Sequence, residues 1–202
     1  MPLPGAKVGV EATVPGIGSP APKFELPLAQ GCRWQAPRMV PAKPEPARVP
    51  VATPKAQPGA LRLADFCGAA GTSANGTRGG VTLLMFWAFW CDTWKDATRD
   101  FKKLRPQFDR AKVRVACVTV DASQQPVATG AFANGDIWYP VAIDRDSEVS
   151  MRYGVRRVPT IFVLDAAGII RAHFEAFPGE RRLMQAIHAA GKPFKSPPGS
   201  KQ

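Results

Sequence analysis

In the stretch "LLMFWAFWCDTWKDATRDFKKL" a strongly apolar run ends in one cysteine, Cys91, and an amphipathic run begins directly after it. A cysteine at the junction of a buried strand and the first turn of a helix is placed for nucleophilic chemistry. Unpaired backbone N–H groups and the positive end of the helix dipole favour thiolate over thiol there. Lys95, four residues on, adds positive charge, and the adjacent Asp92 opposes it. The competing reading of a single cysteine is an inert buried thiol. The strand-to-helix context is what makes Cys91 a candidate attacking sulfur.

The other chemistry-bearing residues are sparse. Cys32, Cys67 and Cys117 fall at irregular spacing, which suits neither a disulfide framework nor a paired set of metal ligands. His173 and His188 add little ligand capacity, so no metal site and no cofactor is expected. Cys117 lies mid-strand and reads as a packing residue, whereas Cys67 or Cys32 could reach Cys91 only through space. The formal charge of +11 permits an anionic partner. The basic residues are scattered, with no compact motif or aromatic platform, so there is no specific nucleic-acid signal. No apolar run reaches the ~18 residues that span a bilayer, and Met1–Val10 does not read as a signal peptide. A trimmed chain would look the same, which leaves the compartment open.

The elements that must position Cys91 follow from composition and period. Thirteen of the 21 prolines fall in residues 1–58, so residues 1–60 read as a proline-rich, basic extension, with a short strand possible at 23–28. Within it, 41–58 carries proline every few positions, which excludes helix and suits an extended linker or a strap on a partner. Residues 61–190 read as one α/β domain and 191–202 as a tail. In the domain, 68–80 is a loop by composition and Val81–Trp87 a strand buried on both faces. Asp92–Arg110 has helical spacing at Trp94, Ala97, Phe101 and Leu104. Strands are expected at Val113–Asp121 and Trp138–Ile143, a helix at Ser123–Asn134 and a helical turn at Glu148–Tyr153. A hairpin follows, Ile161–Leu164 and Ile169–Phe174 about a turn at 165–168, and then a closing helix at Gly179–Ala190. Parallel strands followed by an antiparallel hairpin make a mixed central sheet flanked by helices.

"MFWAFWC", "VPT" before a strand and "LDAAGII" together resemble the redoxins of the thioredoxin superfamily, in particular the TlpA/ResA type, over about Leu61–Ala190. "GSPAPKFELPLAQG", residues 18–31, resembles the opening segment of those proteins, with 32–60 an insertion. The resemblance implies a thioredoxin-like fold. It also implies an attacking role for Cys91, a cis-proline at Pro159 lying against that sulfur, and an extended substrate passing Val158 and Thr160. Trp90 and Trp94 either form an apolar rim to the site or only pack, and Trp87 belongs to the core. The departures are specific. Cys91-Asp92-Thr93-Trp94 is a degenerate CxxC, with Trp94 where the resolving cysteine belongs. A local dithiol cycle is therefore impossible, because no sulfur stands three residues on to displace the bound substrate. Met85 and Ala97 occupy the positions where relatives carry a buried carboxylate, and Ala88 replaces the hydroxyl residue of peroxiredoxins.

Two functions stand open. One is a single-cysteine thiol–disulfide oxidoreductase in which Cys91 attacks a protein or low-molecular-weight disulfide and an external thiol completes the cycle. The other is a redox-inactive module that joins a larger assembly through its basic surface and residues 1–60.

Overall fold

Six consecutive residues, Thr82–Trp87, are fully buried and form β3, the middle of a five-stranded sheet. The computed structural model describes residues 15–29, 32, 59–67, 80–91, 93–120, 132 and 134–192, the side chain of Trp94 excepted. The expected extended stretch 41–58, the loop 68–79 and nearly all of the expected helix at 123–134 lie outside the described residues, as does the tail beyond 192.

β3 runs parallel to β4 (Arg114–Thr119), which runs parallel to β5 (Val141–Ile143). On its other side β3 pairs antiparallel with β6 (Thr160–Leu164), which pairs antiparallel with β7 (Ile170–Phe174). This is the mixed sheet with a terminal hairpin that the sequence pattern implies. The β6–β7 turn is closed by Gly168 at φ 82° and by the Asp165 carboxylate, which accepts from the N–H groups of Ala167 and Ile169. β5 is shorter than the pattern suggests. Pro140 lacks the N–H a ladder needs, and Tyr139 turns into the core instead of continuing the strand.

Side chains of β3 alternate between two cores, as strand geometry requires. Leu83, Met85 and Trp87 face one core, formed against α1 (Thr93–Arg110) and α3 (Glu180–Ala190). From α1 come Ala97, Phe101, Leu104 and Phe108, a single helical stripe. Pro106 sits inside α1 but on its exposed side, and the helix runs on past it to Arg110. Leu84 and Phe86 face the second core, against α2 (Glu148–Arg152) and the N-terminal segment.

That segment is more than a leader. Ala21, Phe24 and Leu28 are buried in the second core. Pro20 bridges to Ile169 on the β7 side and Leu28 to Ala142 of β5, so residues 20–28 cross the sheet from one side to the other. The short strand expected at 23–28 is present as β1 (Glu25–Pro27), paired antiparallel with β2 (Ala60–Arg62). A 3-10 turn, Leu63–Asp65, then leads to Phe66 and Cys67 in the same core.

Candidate active site

β3 ends in Ala88, and the chain turns through Phe89 and Trp90 with the Cys91 N–H donating to the Ala88 carbonyl at 3.1 Å. α1 begins at Thr93 rather than at Asp92. Cys91 therefore stands just ahead of the first helical turn, at the C-terminal edge of the central parallel strands. Its side chain is half-buried, and both it and Trp90 pack against the second core.

The sulfur has two polar neighbours. The Thr93 hydroxyl lies 3.0 Å from Sγ, and the Val158 carbonyl accepts from it at 3.6 Å. The Val158–Pro159 peptide bond is cis. Thr160, buried at the start of β6, fixes this loop from behind: its hydroxyl donates to the Arg157 carbonyl at 2.7 Å. Cys91, Val158, Pro159 and Thr160 thus lie in one neighbourhood. Lys95 is exposed on the first turn of α1.

Thr93 is the neighbour of the sulfur that sequence reasoning missed. The available signal was a hydroxyl side chain at the opening position of a helix that follows a cysteine. An ionised sulfur accepts a hydrogen bond from such a hydroxyl, and charge-assisted bonds of this kind are the stronger ones. Among the described residues the Thr93 hydroxyl is the closest polar group to the sulfur, and Met85 and Ala97 both lie in the apolar core.

None of the four cysteines is in a disulfide. Cys67 lies at the opposite end of β3, where the Thr82 hydroxyl donates to the carbonyl of Phe66. The six residues of β3, at about 3.3 Å each, separate it from Cys91 by far more than the ~4.4–6.8 Å Cα spacing of a disulfide. Burial pushes the Cys67 thiol up to about 11, the Arg114 guanidinium opposing and Asp165 adding to the rise. Cys117 faces the helical core, and burial holds its thiol well above the ordinary range, with a hydrogen bond from Tyr139 opposing and Cys32 adding to the rise. Neither buried thiol is a resolving partner for Cys91. Among the described residues no group of three His, Cys, Asp or Glu side chains comes together to hold a metal ion, and no helix is long and apolar enough to cross a membrane.

Residues 61–173, from β2 through β7, match the AhpC/TSA family. The chain belongs to that family. Among relatives of this AhpC/TSA member, the thiol-disulfide oxidoreductase ResA of Bacillus thuringiensis subsp. konkukian is 30% identical over 92 residues, covering 45% of this chain and 52% of the relative. The thioredoxin-like protein YneN of Bacillus subtilis is 29% identical over 101 residues, 50% of this chain and 59% of the relative. The chain thus spans about half the length of these relatives. In fold, Mycobacterium tuberculosis AhpC superposes with a TM-score of 0.60 at 15% identity, over 88% of this chain and 93% of that one. The AhpC/TSA domain here is a thioredoxin-like fold.

Proposed function

We propose that this protein is a thiol–disulfide oxidoreductase that works through the single sulfur of Cys91. The observation that carries the reading is the placement of that sulfur: half-buried, ahead of α1, between the Thr93 hydroxyl and the loop that holds the cis Val158–Pro159 bond. The name of the ResA relative supports the same chemistry.

The cycle needs two exchanges. The Cys91 thiolate attacks one sulfur of a substrate disulfide, the substrate S–S bond breaks as the new one forms, and the departing thiolate takes a proton from solvent. With Trp94 where a resolving sulfur would stand, the mixed disulfide waits for an external thiol. That thiol attacks, regenerates Cys91 and leaves with the substrate sulfur, and a second equivalent completes the two-electron reduction. Thr93 steadies the ionised sulfur, Lys95 adds positive charge on the first turn of α1, and Val158–Thr160 with Trp90 and Trp94 guide the substrate, which is a protein or a low-molecular-weight disulfide.

Trapping tests the reading. Incubation with 2-hydroxyethyl disulfide is expected to leave a stable adduct on Cys91, found by peptide mass analysis and released by glutathione. A chain that forms no adduct at Cys91 is not an oxidoreductase, and the role of a binding subunit acting through residues 1–60 takes its place.

A further inference from the structure

The second side of the Cys91 neighbourhood is the loop of residues 154–160, "GVRRVPT", which carries two positive charges and no negative one. Arg156 and Arg157 are both exposed. Among the described residues, Arg62 pairs with Glu25, Arg99 with Asp96, Lys102 with Asp136, Lys103 with Asp100, Arg105 with Asp109, Arg152 with Glu148 and Arg171 with Asp165. Arg156, Arg157 and Lys95 make no ion pair there, as is true of other exposed cations such as Arg145, Arg181 and Lys192; what sets Arg156 and Arg157 apart is their place beside Val158 in sequence. Of the anions at this end, Asp146 is exposed without an ion pair among the described residues and three others are engaged. Asp144 is buried and accepts from the backbone and hydroxyl of Ser150, while Asp96 and Glu148 hold the arginines just named. Asp92, next to Cys91 in sequence, lies outside the described residues.

The backbone of the loop is equally one-sided. The Arg157 carbonyl accepts from Thr160 and the Val158 carbonyl from Cys91, so both acceptors are engaged internally. The N–H groups of Arg156, Arg157 and Val158 have no partner among the described residues. Arg157 lies one residue from the carbonyl that touches the sulfur, a Cα step of about 3.8 Å. Three successive backbone donors, and two exposed arginines one and two residues before the carbonyl that touches the sulfur, complement a run of carbonyls with carboxylate side chains.

We propose that the substrate of Cys91 is an extended acidic peptide segment, with Asp or Glu flanking the disulfide, and that Arg156 and Arg157 are the residues that select it. This rests on the reading of Cys91 as the attacking sulfur. The flanking carboxylates speed encounter and hold the register of the segment along the loop, while the exchange itself is unchanged: the Cys91–peptide S–S bond forms as the original one breaks and the departing thiolate is protonated.

The test uses the full chain and a peptide whose one cysteine carries an uncharged 2-thiopyridyl group, flanked by glutamates, glutamines or lysines, with release of pyridine-2-thione as the readout. The glutamate peptide is expected to react about fivefold faster than the glutamine peptide, the size of effect two exposed ion pairs produce, and the lysine peptide slowest. The advantage shrinks in 0.5 M NaCl. In the R156Q/R157Q variant the three rates converge, while the rate with 2,2′-dithiodipyridine, which has no flanking charge, stays at the wild-type value. Equal rates for the three peptides in the wild type overturn the assignment. So does a glutamate preference that survives in R156Q/R157Q, or a variant that is slowed equally with 2,2′-dithiodipyridine. Failure of Cys91 to react with 2,2′-dithiodipyridine in the wild type removes the redox reading itself, and the substrate class with it.

Discussion

The central strand β3 has a cysteine near each end, and the two ends treat sulfur differently. Near the C-terminal end, Cys91 is half-buried and touches a hydroxyl and a carbonyl. Near the N-terminal end, Cys67 is 4% exposed, packed against Gly168 at the hairpin turn, and donates to the Leu63 carbonyl at 3.6 Å. The same side chain is a candidate reagent in one place and a core residue in the other. Solvent access decides which, because a thiolate without water or a partner is too costly to form.

Substitution breaks the comparison most sharply. Cys91→Ser is expected to lower the rate of exchange with 2,2′-dithiodipyridine by two orders of magnitude or more, since the thiolate is the nucleophile. Cys67→Ala leaves that rate within about twofold, because the change lies at the far end of the sheet. Equal losses in the two variants would mean that the ends are not independent.

Alkylation of the folded chain comes next. With Cys67 held at about 11, its thiolate population at pH 8 is about 200-fold below that of a free thiol with pKa ~8.5. Iodoacetamide followed by peptide mapping should therefore label Cys91 first and reach Cys67 and Cys117 only on unfolding. Early labelling of Cys67 would sink this contrast.

Thr93→Val sharpens the account of the reactive end. Loss of the hydroxyl is expected to slow mixed-disulfide formation about five- to tenfold at pH 7, the worth of one ordinary hydrogen bond of about 1 kcal/mol. Thr93→Ser restores the wild-type rate. A deficit that Thr93→Ser shares unchanged would assign Thr93 a packing role only.

The smallest effects concern stability at the buried end. Gly168 has φ 82°, and a Cβ there would meet the Cys67 sulfur at 3.2 Å. Gly168→Ala should cost about 1–2 kcal/mol in urea unfolding. The raised Cys67 thiol also gives a pH dependence. The folded chain keeps its proton while the unfolded chain begins to lose its own near ~8.5, so the contribution is complete below that value and is lost as pH rises toward about 11. Cys67→Ala should show a shallower alkaline loss than the wild type.

Much of this was legible from residue order. The apolar run 81–87 and the stripe of Ala97, Phe101 and Leu104 placed Cys91 at a strand-to-helix junction, and "VPT" placed the facing loop, because each signal is local and periodic. The contact between Thr93 and the sulfur was not legible, since a side-chain rotamer decides it. The position of Cys67 was equally hidden: sequence brings it within 15 residues of β3, but which end of the strand it joins depends on how the intervening loop is threaded. Residues 20–28 were obscured by their neighbours, because a proline-rich composition looks the same whether a segment crosses a sheet or hangs free.

The β1–β2 pairing has a mechanical consequence. The Leu28 N–H donates to the Gly59 carbonyl at 3.0 Å, so the chain between these residues departs and returns at one spot. Anything that grips that intervening stretch pulls on a tether rooted at both feet, and the load enters through two adjoining strands together. Removing the first 58 residues would also tear Phe24 and Leu28 from beneath the sheet. Excision of 33–57 alone, closed by a short glycine–serine bridge, is the cut that spares the foundation.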